Sequence, residues 1–420
     1  MQKIIGPVTD KNEYIHWDKL RHLTTPEGFS SEEWWFAIKF ARQAIYKRLP
    51  FLDKYGKPLL LATPDIVLQK LHEIDRKVGN PSPVLNSDMR NSYLVQSLME
   101  EAITSSQFEG ASTTRKIAKE MLETGRKPRD KSEQMIFNNY QAMQFVQEMK
   151  NEMITTDAIL ELHRILTVKT LDDPAAAGHL RGPADDISVW DDRDGTLLHT
   201  PPSAIELEDR LQKLCDFANK TAENDVFIHP VVKAILLHFV LAYDHPFIDG
   251  NGRTARALFY WSMAQQGYSL MGFISISKIL KESSGQYARA FLHTETDEND
   301  VTYFVLHQLD VILEAIVSLY KYLDKKNQEI NATEKLLQVN QTLNTKLNYR
   351  QVALLRHALK HPNFQYRIES HRLSHNITYQ TARTDLLSLE KFNLLLKKQM
   401  GKAFIFIAPD DLKKRIEDVD

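Results

Sequence analysis

Cysteine is almost absent: Cys215 is the single thiol in 420 residues. One thiol makes no internal disulfide and no CxxC zinc site, so the expected location is a reducing cytoplasm. Glycine and proline are scarce, 15 and 16 residues, which excludes collagen-like and low-complexity chains. The most apolar helix-like run, Ala234–Tyr243, is about ten residues long and contains His238. A membrane-spanning helix needs roughly 20, so no membrane partner is expected. The opening MQKIIGPVTDKNEY lacks the apolar core of a signal peptide. Neither sign of charge dominates, with 53 Lys+Arg against 55 Asp+Glu. The 43% hydrophobic content is ample for a buried core, and at about 150 residues per domain the length suggests two or three domains.

The near-neutral total hides an asymmetry. Lys346 to Pro409 holds eleven Lys/Arg against three acids (Glu369, Asp385, Glu390), a net of +8, so the remainder carries −10. A basic C-terminal module either meets a polyanion or is simply a modular part of unlike charge.

Helical periodicity dominates. The segment Ser31–Leu49 is aromatic-rich, and helices are expected at Asn91–Phe108, Ser132–Met149, Thr156–Val168 and Ser203–Ala222, the last opened by a Ser203/Glu206 capping box. Pro230 suits a first helical turn leading into VVKAILLHFVLAY. Further helices are expected at Gly252–Gln265, stopped by Gly267, and at Asp300–Leu323. The stretch LPFLDKYGKPLLLATP reads as irregular or as a short hairpin. Strands are expected at Ile187–Trp190 and Thr196–His199 around the Asp194-Gly195 turn signal. The C-terminal module reads as three helices (Asn348–Lys360, Arg367–Ser374, Thr378–Phe392) followed by a hairpin at Leu394–Lys398 and Ala403–Ile407.

The segment that carries chemistry is His245-Pro-Phe-Ile-Asp-Gly-Asn-Gly-Arg-Thr-Ala-Arg256, between two expected helices. Gly250 and Gly252 let the backbone turn tightly and approach a ligand. The next helix then offers unpaired N–H groups and its positive dipole end, a ready phosphate site. Arg253 and Arg256, one turn apart at most, add forked donors suited to phosphate oxygens. Asp249 is a hard carboxylate suited to a Mg²⁺ ion bridging phosphates. His245 is the one group there with an ordinary pKa near neutrality, fit for a general base. Together these residues describe a Mg-nucleotide site with a histidine aimed at an incoming nucleophile.

HPFIDGNGRTAR resembles the Fic family signature HxFx(D/E)GNGRxxR at every defined position. The resemblance implies a mainly α-helical fold with a small β-hairpin flap, and transfer of AMP from ATP to a hydroxyl of a target protein. It further implies that His245 deprotonates that hydroxyl and Asp249 binds Mg²⁺. The backbone of Gly250–Gly252, with Asn251 and Arg253, would hold the α- and β-phosphates, and Arg256 the γ-phosphate. Phe247 is expected to anchor the loop in the core. The Doc-type branch of the family, which phosphorylates, departs from GNGR; both glycines here favour nucleotidyl transfer.

Ser105-Ser-Gln-Phe-Glu109-Gly110 resembles the family's inhibitory motif (S/T)xxxE(G/N). That resemblance implies that Ser105, Glu109 and Gly110 form a brake. Glu109 would pair with Arg256 where the γ-phosphate must sit. The hairpin with Ile187, Ser188 and Val189 resembles the family's flap, which would clamp a target segment by strand addition. The C-terminal order resembles a winged helix-turn-helix. There Ala382, Leu386 and Leu389 would face the core, and Tyr379, Gln380, Arg383 and Thr384 outward, with Lys397, Lys398 and Lys402 on the wing. Asp385 and Glu390 would weaken a DNA face.

The expected organisation is an N-terminal region (1–88) of unreadable role and a Fic domain (89–325) with an inhibitory helix at about 91–110. A linker (326–347) and a winged-helix domain (348–408) follow. The expected activity is protein adenylyltransfer from Mg-ATP, with a hydroxyl-bearing protein as partner. UTP is the alternative donor; a DNA-binding regulator using the Fic domain as a nucleotide sensor is the alternative class. A homo-oligomer and duplex DNA are further candidate partners. Among other residues, His229, His238 and His245 lack zinc spacing, and His238 is expected to be a packed helix histidine. Cys215 is expected to be buried, Tyr287 to line the adenine pocket, and Glu295–Asp300 to be a solvated helix start.

Overall fold

The computed structural model describes residues 5–79, 87–185, 187–190, 195–220, 227–338, 343, 346–400 and 403–418. Helices dominate it. The N-terminal part holds α1 (Trp17–Leu20), α2 (Ser31–Gln43), a hairpin of β1 (Lys47–Leu52) and β2 (Pro58–Leu61), and α3 (Asp65–Gly79). Next come α4 (Ser87–Phe108), α5 (Arg115–Thr124), α6 (Lys131–Glu148) and α7 (Thr156–Thr167). The short strands β3 (Val189–Trp190) and β4 (Leu197–His199) precede α8 (Leu207–Asn219), α9 (Pro230–Asp244) and α10 (Asn251–Gln265). Then follow α11 (Ile276–Glu282), α12 (Ser284–Thr296) and α13 (Thr302–Gln338).

A hydrophobic helix face must be covered, and a helix hydrophobic all round must be central. α9 is such a helix: Val231, Ile235, Leu236, Phe239 and Val240 are all buried, and it packs on α10, itself filled by Phe259 and Trp261. Pro230 opens α9 at its first turn, where a missing N–H costs nothing, and the His229 ring accepts from the Val231 N–H. Helices α6, α7, α8 and α13 surround this pair. Leu49, Phe51, Leu59, Leu61 and Val67 from the first 88 residues belong to the same core, and the segment that might have been irregular is the β1–β2 hairpin.

The acidic run Glu295–Asp300 is not a solvated helix start. Asp300 is fully buried and accepts from Tyr14 Oη, Tyr46 Oη (2.8 Å) and the Thr302 N–H (3.1 Å). Asp297 pairs with Lys39 at 2.8 Å and lies 3.7 Å from Arg42. Arg42, also fully buried, donates to Pro7 O, Ile15 O and Tyr303 Oη and lies 3.6 Å from the centre of the Tyr14 ring. A buried charge is tolerated only when paired in this way. The run therefore staples the N-terminal segment to the body.

The Ser203/Glu206 capping box does not form. A 3₁₀ turn, Ala204–Glu206, precedes the α-helix, Ser203 makes no side-chain cap, and the Glu206 carboxylate is drawn to Arg210 at 3.0 Å. α13 runs fifteen residues beyond the expected Leu323, into the segment read as a linker. Its window Thr302–Lys325 is long and apolar enough to cross a membrane by length and composition, and so is longer than Ala234–Tyr243 though less apolar per residue. Two-thirds of that window is buried inside the molecule, as a core helix requires.

After α13 come α14 (Tyr349–Lys360), β5 (Gln365–Arg367), α15 (Ile368–His375), α16 (Tyr379–Lys391), β6 (Leu396–Met400), β7 (Ala403–Ile407) and α17 (Leu412–Glu417). The three strands form one antiparallel sheet in the order β5-β7-β6 over a separate core. Ala382, Leu386 and Leu389 are fully buried there, whereas Tyr379, Gln380, Arg383, Thr384, Lys397 and Lys398 are exposed. Asp385 is not on that outer face. It is buried and bound by Arg350 (2.6 Å), Asn348 (2.7 Å) and His371 (3.1 Å). Gly401 and Lys402, like Asp191–Asp194, lie outside the described residues.

Candidate functional site

The loop between α9 and α10 is held from several sides. His245 closes α9 in the left-handed region, at φ +47°. Its Nδ1 lies 3.2 Å from the Ala242 carbonyl. A carbonyl only accepts, so Nδ1 carries the proton and Nε2 keeps its lone pair. Burial pushes the His245 pKa below its ordinary value, with the Ala242 hydrogen bond opposing. The ring is therefore neutral near pH 7, as a general base must be.

Asn251 braces the turn. Its Oδ1 accepts from the Phe247 N–H at 2.9 Å and its Nδ2 donates to the Phe247 carbonyl at 2.8 Å. Both ends of the amide are thus engaged in holding the turn, and the Asn251 backbone N–H lies in the first turn of α10. Phe247 is fully buried, as expected of an anchor, and stacks on the His163 ring at 3.7 Å. His163 in turn accepts from the Gly178 N–H at Nδ1 and so donates from Nε2 to the Asp249 carbonyl at 2.9 Å. Burial takes the His163 pKa down to about 4, so it stays neutral. Arg181 supports the other end, donating from Nε to His245 O at 2.8 Å and from Nη2 to Pro202 O at 2.6 Å.

Gly250 sits at φ +85° as the N-cap of α10, and a Cβ there would lie 2.7 Å from Thr167 Cγ2. Glycine is required on both counts. No side chain caps α10, so its first N–H groups have no side-chain acceptor at this end. Arg253 is almost fully buried, donating to Leu166 O (3.2 Å) and to Asp249 (3.3 Å), while its Nε has no partner. An orphaned guanidinium N–H beside a helix N-terminus suits an anion. The Asp249 carboxylate is 54% exposed at this mouth. A hard, accessible oxygen donor beside a phosphate-binding nest fits Mg²⁺.

Arg256 points from the next turn to α4. Its Nε donates to Ser105 Oγ (3.0 Å), and Nη2 to Ser105 O (3.2 Å) and to Glu109 Oε1 (2.8 Å). Its guanidinium lies 5.2 Å from the Phe108 ring centre. Glu109 also lies on Gly252: a Cβ at Gly252 would overlap Glu109 Oε1 and come within 3.0 Å of Arg256 Nη1. Gly110, at φ +92°, turns the chain immediately after. Upstream on α4, buried Glu101 accepts from Tyr260 Oη (2.9 Å), Ser275 Oγ (2.8 Å) and both the N–H and hydroxyl of Ser277, fixing the helix.

The flap strands are shorter than expected, with Val189 opposite His199 and Trp190 opposite Leu197. The described part is two and three residues long, so Ile187 and Ser188 precede the strand; both are half-buried, as is Val189. His199 Nε2 donates to the Tyr243 carbonyl at 2.7 Å, which ties the flap to α9 two residues before His245. Tyr287 hydrogen-bonds His238 at 2.9 Å and meets the Phe108 ring edge-on. Cys215 is buried, its pKa pushed up to about 11 by that burial.

Residues 153–263 match the model of the Fic/DOC family. Among curated proteins, the chain is similar to Protein adenylyltransferase Fic of Nematostella vectensis, 34% identical over 119 residues, covering 28% of this chain and 25% of that one. It is similar also to Protein adenylyltransferase fic-1 of Caenorhabditis elegans, 27% identical over 217 residues, covering 50% and 40%. The chain thus spans a quarter to two-fifths of the length of these relatives. Two solved structures share the fold. A Fic family protein from Desulfovibrio desulfuricans G20 has a TM-score of 0.51 at 16% identity, covering 83% of this chain and 97% of that one. A Fic domain containing signaling protein from Bacteroides thetaiotaomicron VPI-5482 has 0.51 at 20% identity, covering 61% and 97%. The chain has the Fic fold, and its residues 153–263 are similar to the Fic/DOC family.

Proposed function

We propose that this chain is a protein adenylyltransferase, moving AMP from Mg-ATP to a Ser, Thr or Tyr hydroxyl of a target protein, and that Glu109 holds it in check. The observation that carries the reading is the pairing of Glu109 with Arg256 against Gly252, beside a histidine whose Nε2 is free. The N–H groups that open α10 and the unpartnered Arg253 Nε would take the α- and β-phosphates, and Arg256 the γ-phosphate. Asp249 would hold Mg²⁺, which supplies charge neutralisation on the triphosphate. The target hydroxyl gives its proton to His245 Nε2 as its oxygen bonds to the α-phosphorus. The bond to the β-phosphate oxygen breaks, and pyrophosphate leaves. Such a reaction asks the protein for positioning, one proton acceptor and charge stabilisation. An edge strand at Ile187–Val189 would hold the target segment, with exposed Trp190 and Leu197 beside it.

Incorporation of α-phosphate label from ATP into host lysate protein tests this. Label should rise in Glu109→Gly and vanish in Glu109→Gly/His245→Ala. No label from ATP with strong label from UTP would replace the donor; no label from either, with nucleotide still bound, would overturn group transfer.

A second reading, a DNA-binding regulator that senses nucleotide, is favoured by one observation. Asp385 is withdrawn into the C-terminal core, leaving Arg383, Lys397 and Lys398 on an outer face with Tyr379 and Gln380. The helix–strand–helix–helix–hairpin order supports a winged helix there. Salt-dependent binding to duplex DNA would support it, and no binding at low salt would exclude it.

A further inference from the structure

Two histidines and an aspartate outside the loop meet where the N-terminal segment crosses α12. The His16 and His293 rings stack at 4.3 Å, 11° from parallel. Asp18 reaches both: its Oδ2 lies 2.7 Å from His293 Nε2, and its Oδ1 lies 3.2 Å from His16 Nδ1. Among the described residues, these three bring potential metal-ligand atoms within 4.8 Å of one another.

The hydrogen-bond pattern leaves one carboxylate oxygen of that cluster without a donor. Thr296 Oγ1 donates its single proton to the Leu292 carbonyl at 2.6 Å, so its contact with His16 Nε2 at 3.3 Å requires Nε2–H as donor. The Asp18 N–H donates to His16 Nδ1 at 3.3 Å, which agrees that Nδ1 carries a lone pair. The same nitrogen, whose one lone pair takes the Asp18 N–H, also lies 3.2 Å from Asp18 Oδ1, a buried oxygen with no hydrogen-bond partner, so a metal there would replace that N–H. Two lone pairs 3.2 Å apart repel one another unless a cation lies between them. The surrounding charged groups, Lys19 and Arg289, are too well solvated to supply it: both are exposed. Beside the histidines opens a cavity of about 220 Å³, lined by His16, His293, Gln286 and His307 among others, with room for water ligands.

We propose that His16, Asp18 and His293 bind a Zn²⁺-class divalent transition-metal ion. Two imidazoles and one carboxylate are a borderline-soft donor set that suits Zn²⁺ or Co²⁺ over Mg²⁺ or Ca²⁺. Ligands about 2.1 Å from a tetrahedral centre lie roughly 3.4 Å apart, against ligand atoms within 4.8 Å of one another here. The ion would join residues 16 and 18 to residue 293 and so lock the N-terminal segment onto the body. It would keep an open coordination position toward the cavity.

The test uses the full chain, gel-filtered from equimolar Zn²⁺ with millimolar Mg²⁺ present to occupy hard-oxygen sites. Wild type should retain one more equivalent of zinc than His16→Gln or His293→Gln, whereas His22→Gln, an exposed neighbour, should match wild type. In wild type, so that no variant need fold, Co²⁺ should shift the ring signals of His16 and His293 in NMR spectra. Equal zinc in all variants, or ring signals untouched by Co²⁺, overturns the proposal. So does a metal-indifferent His16 carrying both ring protons, since a proton then fills the gap.

Discussion

Glu109→Gly and the isosteric Glu109→Gln separate the two things the carboxylate does: pairing with Arg256 and filling the space over Gly252. The 2.8 Å contact is charge-assisted, a class worth about 1.5–3 kcal/mol. Glu109 is 31% exposed, so solvent screening reduces this to roughly 1–2 kcal/mol. If the pair must open before triphosphate enters, the competent fraction divides the intrinsic ATP affinity. Opening at that cost weakens binding by roughly 5- to 30-fold. Calorimetric titration with Mg-ATP should therefore show Glu109→Gly binding roughly 5- to 30-fold tighter than wild type. Glu109→Gln should fall between them, because it loses charge but keeps volume. The same linkage requires the variants to lose stability without nucleotide, because Arg256 is left buried with only Ser105 as partner. ATP affinities within twofold across all three proteins, or a Gln variant tighter than the Gly variant, would refute the reasoning.

Three further outcomes follow from the geometry. Because burial depresses the His245 pKa below 6.5, the base is neutral above that value and protonates only as pH falls through its lower, folded value. The rate of Glu109→Gly should thus be flat from pH 8 down to 6.5 and decline below; a half-point above 6.5 would count against His245 as base. Gly250→Ala meets Thr167 Cγ2 at 2.7 Å in a left-handed backbone, and should lower stability by about 1–3 kcal/mol with a fall in melting temperature; an unchanged melting temperature would show that the turn tolerates Cβ. His163→Ala removes both the ring stacked on Phe247 and the donor to the Asp249 carbonyl. In the Glu109→Gly background it should reduce kcat by about 10-fold or more through misplacement while leaving the acid limb of the pH profile where it was, and a shifted acid limb would mean His163 itself titrates in turnover.

The loop was legible because its candidate groups are local: twelve consecutive residues hold the histidine, the carboxylate, both glycines and both arginines. α9 and the C-terminal helices were legible for the same reason, since periodicity and caps act within one or two turns. What escaped is carried by partners distant in sequence. His163 looks like any histidine on an amphipathic helix, and its role appears only when Phe247 and Asp249, more than eighty residues on, pack against it. Arg181 and Glu101 are ordinary charged residues until their partners arrive. Asp297 and Asp300 were misread as solvated because composition cannot show that Arg42, Tyr14 and Tyr46 come to meet them. The Ser203 box failed because two turn geometries fit one four-residue pattern.

Glu109 is part of the same chain as the arginine it pairs with, and Glu101 holds the intervening helix in place. In effect the nest carries a tethered ligand, present at a local concentration set by geometry and unchanged by dilution. A dissociable inhibitor would wash out as the protein becomes scarce; this carboxylate cannot. If the proposed inhibition holds, nucleotide would compete with it at every protein concentration. On the proposed reading, a shift of α4 would carry Glu109 away from Arg256, and the buried contacts of Glu101 with Tyr260, Ser275 and Ser277 oppose such a shift.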